Sequence, residues 1–102
     1  MTWQRQEGSA LPTLFSIGKY RIFFWSNENA EPIHIHICLG DPTNSSTKIW
    51  LTSNGGFVVA HNEGRIPKRE LNDILKVLPV HFFYICSEWK RFFGVDKITF
   101  YC

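Results

Sequence analysis

Three cysteines, none in Cys-x-x-Cys spacing, leave this chain without a disulfide framework or a zinc ribbon. Reduced thiols are the expectation. No run of about 18 apolar residues occurs, which argues against a membrane-spanning helix. The opening stretch from Met1 to Gly8 also lacks the apolar core of a signal peptide. The chain therefore reads as cytoplasmic, with no membrane partner. Charge of one sign is missing too: 11 Lys and Arg face 9 Asp and Glu, a net +2. That balance gives little support to strong non-specific binding of nucleic acid. A phosphate loop, a dinucleotide fingerprint, H-E-x-x-H and G-x-S-x-G are all absent. Their absence removes P-loop hydrolysis, Rossmann hydride transfer, zincin proteolysis and ordinary serine esterases.

What the chain has in quantity is aromatic side chains, 16% of its 102 residues, within an apolar fraction of 44%. Such a composition supports one compact domain with a core of large side chains. We assign that domain to residues 11–102, behind a flexible N-terminus of residues 1–10.

The strand and turn signals are dense. Thr13–Ile17 and Tyr20–Trp25 read as two strands joined at Gly18-Lys19, a two-residue hairpin. A turn-forming loop from Ser26 to Pro32 follows, and then Ile33-His34-Ile35-His36-Ile37-Cys38. In a strand, Ile33, Ile35, Ile37 and Leu39 line one face, and His34, His36 and Cys38 the other. Gly40-Asp41-Pro42 and the polar run Thr43–Ser46 end that strand. Thr47–Thr52 and Phe57–Ala60 flank Ser53-Asn54-Gly55-Gly56, where Asn-Gly predicts a tight turn. Beyond Arg65 the period changes. Pro67 suits a first helical residue. Leu71, Ile74, Leu75 and Leu78, then Phe82, Ile85, Cys86, Trp89 and Phe93, follow a buried helical stripe. Pro79 between them either kinks one helix or divides two. Gly94 ends the helix, and Lys97–Tyr101 is a candidate last strand. The expected fold is α+β: a small antiparallel sheet of five or six strands in hairpins, with one kinked or two short helices on one face.

The order of these motifs resembles a family of small bacterial proteins of the domain-of-unknown-function type. The matching pieces are Pro12-Thr13, Gly18-Lys19-Tyr20-Arg21-Ile22, Pro32-Ile33-His34-Ile35-His36 and Gly64-Arg65-Ile66-Pro67, with the helix bearing Leu71, His81 and Trp89. The family pattern has Pro-Pro-His-x-His where this chain has Pro-Ile-His-Ile-His, and this chain adds Pro79 and a tail after Gly94. The resemblance implies a small cytosolic protein, often encoded in two-gene units that look like toxin–antitoxin or regulatory pairs. It implies no established activity.

Candidate sites follow from the His strand. Residues two apart on a strand lie about 6–7 Å apart at Cα, so His34 and His36 can converge on one transition metal. Cys38, His61, His81 or a carboxylate such as Glu31 would supply a third ligand. The same pair, with Arg21 holding a phosphate, suits acid–base chemistry of a ribonuclease-like kind, because imidazole titrates near neutrality. The alternative is structural: imidazoles half-buried and bonded to neighbours. Arg21 equally packs among aromatics. Lys48 and Trp50 are candidates for contact with a partner or a nucleic-acid base. Cys38 and Cys86 read as core fillers. Lacking a complete catalytic set, the chain reads first as a non-catalytic interaction module that binds a neighbouring gene's product or itself. No cofactor is required on that reading, and a divalent transition metal is the one cofactor the histidines suggest. The alternative is a small His-dependent ribonuclease-like toxin or metal hydrolase.

Overall fold

A computed structural model describes residues 9–28, 30–42 and 45–102. Five antiparallel strands form one meander in the order β1-β2-β3-β4-β5: β1 Phe15–Ile17, β2 Tyr20–Phe23, β3 His34–Leu39, β4 Thr47–Leu51 and β5 Phe57–His61. A helical rod follows, made of α1 Lys68–Val77, a 3-10 turn Leu78–His81 and α2 Phe82–Phe93. The α+β expectation holds, with five strands.

Local chemistry sets each boundary. Gly18, with φ +58°, turns β1 into β2 so that Ile17 pairs with Tyr20. The β4–β5 turn is looser than the Asn-Gly signal predicts. Thr52 donates its amide to the Gly56 carbonyl, leaving Ser53, Asn54 and Gly55 as a three-residue loop. Gly55 takes φ +86°, while Asn54 stays at negative φ. Pro67 stands just outside α1 and accepts the first helical bond from Leu71 instead of forming the first turn. Pro79 lies at the start of the 3-10 turn that joins α1 directly to α2, with no loop between them. The missing amide falls in a single tightened turn, where an early helical donor would lack a partner anyway. Gly94 caps α2 in the left-handed conformation, φ 63°.

The core lies between one sheet face and the rod. Tyr20, Ile22, Phe24, Ile33, Ile35, Ile37, Ile49 and Leu51 come from the sheet side; Leu71, Ile74, Leu78, Phe82, Ile85 and Trp89 come from the helical side. Each such side chain contributes about 1.5–3 kcal/mol by leaving water. Leu39 departs from the isoleucine pattern: at the strand's end it is 57% exposed. A hydrogen bond of 2.5 Å from the Tyr20 hydroxyl to Glu70 ties β2 to α1. That bond, together with burial, pushes the Tyr20 pKa up to about 12.

The expected strand at Lys97–Tyr101 does not form. Only a few backbone bonds hold that segment: Ile33 donates to Thr99, Tyr101 to Leu51, and Ser53 to Cys102. It runs where β3 and β4 part company, so no continuous edge is on offer for a ladder. At the other end, residues 1–8 and the Thr43-Asn44 part of the polar run lie outside the described residues. Ser9 and Ala10 are tied down, with Ala10 bridged to Trp25 and the Ser9 carbonyl accepting from Ser26. Among the described residues, no helix is long and apolar enough to cross a membrane.

The orientation of α2 is testable by substitution. Ile85→Ala, at a fully buried position, should cost about 2–5 kcal/mol in chemical denaturation. Phe83→Ala, two residues away and exposed, should change stability by less than about 0.5 kcal/mol.

Candidate functional site

Strand β3 is the middle of five, paired with β2 over His36–Leu39 and with β4 over His34–Ile37. Its side chains are therefore placed by two neighbours. Register sets His36 beside Phe23 and Lys48, and His34 beside Trp50. The face expected to carry chemistry is buried as well: His34 is 1% exposed and His36 5%. Aromatic rings supply much of the cover. His36 lies against Phe23 and Trp25, and His34 against Trp50 and Trp89.

The polar cover comes from Glu28, in the connection between β2 and β3. One carboxylate oxygen, Oε1, lies 2.8 Å from His34 Nε2 and 2.7 Å from His36 Nε2. The Pro32 carbonyl, which can only accept, lies 2.8 Å from His34 Nδ1, so that nitrogen carries hydrogen. Among the described residues, the buried His36 Nδ1 has no partner. Burial pushes the Glu28 carboxyl up, but its bonds to His34 and His36 outweigh that effect and hold its pKa at about 2. Burial also pushes His36 below its ordinary value, against the opposing pull of Glu28. One carboxylate and two imidazole nitrogens, all within 4.8 Å of one another, form a donor set acceptable to a borderline divalent ion.

The carboxylate that converges with the two histidines is Glu28 rather than Glu31. Glu31 instead forms an ion pair with Lys48 at 2.5 Å. His61 accepts from the Glu63 amide at 3.3 Å, and His81 stacks on Phe15 at 4.0 Å between centroids. Cys38 shares the histidine face but lies outside the converging group, its thiol directed at the Gly40 carbonyl 3.5 Å away. Burial raises the pKa of both Cys38 and Cys86, which disfavours the reactive thiolate. A signal for Glu28 did exist. Some ten residues join two adjacent antiparallel strands, far more than a tight hairpin uses, and the excess has to fold over one face.

The remaining candidates are engaged within the chain. Arg21 donates to Thr13 at 3.1 Å and to the Gly40 carbonyl at 2.7 Å. It faces Cys38 across the ladder, and its hydrogen bonds run to Thr13 and Gly40 rather than to either histidine. Trp50 carries the Lys48 ammonium 4.2 Å from its ring centre and stacks on Tyr101 at 5.0 Å. Its ring is already occupied.

Residues 20–90 match the profile of the family described as Domain of unknown function (DUF4160). The chain belongs to that family. No curated protein and no solved structure matches it. The DUF4160 match takes in Glu28, His34, His36 and the helical rod almost to its end, and leaves the Tyr101 tail outside.

A second surface of this DUF4160 domain lies on the rod's outer side. Val80 is 83% exposed and Phe83 84%, with Val77 and Tyr84 beside them also exposed. Lys76 precedes this apolar ridge, and Lys90 and Arg91 follow it, all three exposed. Arg91 is bound to Glu88 at 2.7 Å.

The triad predicts a pH dependence whose sign is fixed. Glu28 ionises at about 2 in the fold against 4.5 in the free side chain, so its contribution is complete above 4.5 and is lost as pH falls toward 2. His36, pushed below 6.5, likewise contributes above the unfolded value and loses that contribution as pH falls through the folded one. Melting temperature should therefore drop on acidification below about 6.5, and again between about 4.5 and 2. Glu28→Gln should cost about 2 kcal/mol at neutral pH and flatten the lower step in a pH series of thermal melts.

Proposed function

We propose that this protein is a non-catalytic interaction module, a regulatory or toxin–antitoxin-like component that binds a protein partner through the ridge Val77, Val80, Phe83 and Tyr84. The carrying observation is the exposure of Val80 and Phe83 in adjacent turns of a well-packed rod. Large aromatic side chains left in water beside one another mark interaction surfaces more than isolated ones do. The flanking Lys76 and Lys90 favour a partner segment that is apolar at its centre and acidic at its ends.

The histidines support this reading by their burial. A general acid or base must come within hydrogen-bond reach of its substrate, and rings 1% and 5% exposed are reached only if the Glu28 segment lifts away. Arg21, Lys48 and Trp50, the residues best suited to nucleic acid, have partners inside the fold. That favours a protein partner over a nucleic acid.

Co-expression with the product of the adjacent gene tests the proposal. The expected result is a complex that co-purifies through size exclusion. Val80→Asp with Phe83→Asp should abolish it while leaving the melting temperature of the free chain within a few degrees. Retention of the complex by the double variant would remove the ridge from the interaction. A wild-type chain that runs as a dimer, and becomes monomeric in the double variant, would assign the ridge to self-association instead.

A further inference from the structure

We infer that Glu28, His34 and His36 form a binding site for a divalent transition-metal ion of the zinc type, seated between Glu28 Oε1 and the two Nε2 atoms. This goes beyond the ridge reading and does not depend on it.

The reasoning begins with hydrogen count. With its hydrogen on Nδ1 toward Pro32, a neutral His34 presents a lone pair at Nε2. That lone pair faces a carboxylate oxygen 2.8 Å away. Two acceptors at this separation require a positive centre between them, either a second ring proton or a metal. The same oxygen lies 2.7 Å from His36 Nε2. Each contact can be filled by a hydrogen on its own ring, or one metal ion can take the place of both and bind all three atoms. Orientation agrees: a metal-bound histidine commonly turns its second nitrogen to a carbonyl, as His34 does.

Geometry allows it with a small adjustment. Zinc–ligand distances of about 2.0–2.2 Å in a tetrahedron place ligand atoms about 3.3 Å apart, so Glu28 would draw back by roughly half an ångström and the two rings would turn until their Nε2 atoms, now within 4.8 Å, reach that spacing. Glu28 lies outside the strands, where such a shift disturbs no ladder bond. Two histidines and one carboxylate are a donor set known for zinc with water as the fourth ligand. Lys48, whose charge would oppose a cation, is paired with Glu31 and lies over Trp50. A bound ion would clip the β2–β3 connection to the central strand and stabilise the fold by linkage.

The full chain, stripped with chelator, is titrated with zinc chloride and then desalted. One zinc per chain should remain by elemental analysis, and saturating zinc should raise the melting temperature by on the order of 10 °C. Glu28→Gln and His36→Asn, each first shown to melt cooperatively in chelator, should weaken zinc binding at least about tenfold. Cobalt(II) in place of zinc should give the visible bands of a tetrahedral nitrogen–oxygen site, lost in Glu28→Gln. Failure of the wild-type chain to retain zinc would overturn the inference. So would equal retention by both variants, or a cobalt spectrum with thiolate charge transfer. None of these outcomes bears on the ridge, which is read by co-purification alone.

Discussion

Strand β3 lies between two neighbours and buries both its histidines, so their ring nitrogens depend on partners inside the protein, which three of the four have. Ile35, Ile37 and Leu39 make up half its side chains, and the helical rod covers the two isoleucines. The other half are His34, His36 and Cys38, and these dictate what the second face must look like. Phe23, Trp25 and Trp50 exclude water from the rings, and exclusion of water is what makes a carboxylate necessary. Glu28 answers that need from the β2–β3 connection. The length and path of that connection thus follow from two imidazoles on a central strand.

The division of labour between the two sides of the molecule follows as well. The sheet's polar face is consumed internally: Arg21 fastens the Thr13 segment to the Gly40 turn, Lys48 answers Glu31, and Trp50 is roofed by Tyr101. Little of it is left to meet another macromolecule. The outer side of the rod carries no such internal duty at Val80 and Phe83. A helix with apolar residues on both its inner and outer surfaces has more hydrophobic surface than its own sheet can cover.

Much of this architecture is legible in the sequence because local signals and tertiary packing agree. The Ile–His alternation, the Gly18 turn, the helical stripe through Leu71, Ile85 and Trp89, and the Gly94 stop all lie where periodicity and turn chemistry place them. The misreadings have a common cause. Lys97–Tyr101 has strand-like composition, but composition does not reveal whether a free edge awaits it. Asn54-Gly55 has the residues of a two-residue turn, but Thr52 and Gly56 continue the pairing and enlarge the loop. Glu28 is one acid among several in a polar stretch, and only the return of that stretch over β3 distinguishes it from Glu31. Cys38 shares the face with both histidines, yet alternation gives the side and not the convergence of atoms.

The tail closes the molecule in a way that bears on how it is made. Every pairing within the sheet joins strands consecutive in the chain, so the meander can assemble as it leaves the ribosome. Its isoleucine face, however, is left bare until the rod has been synthesised. The Ile33 amide and the Trp50 ring wait longer still, for Thr99 and Tyr101 in the segment that follows the rod. Until then a nascent chain presents an open apolar sheet, the state in which it is most exposed to chaperones and proteases.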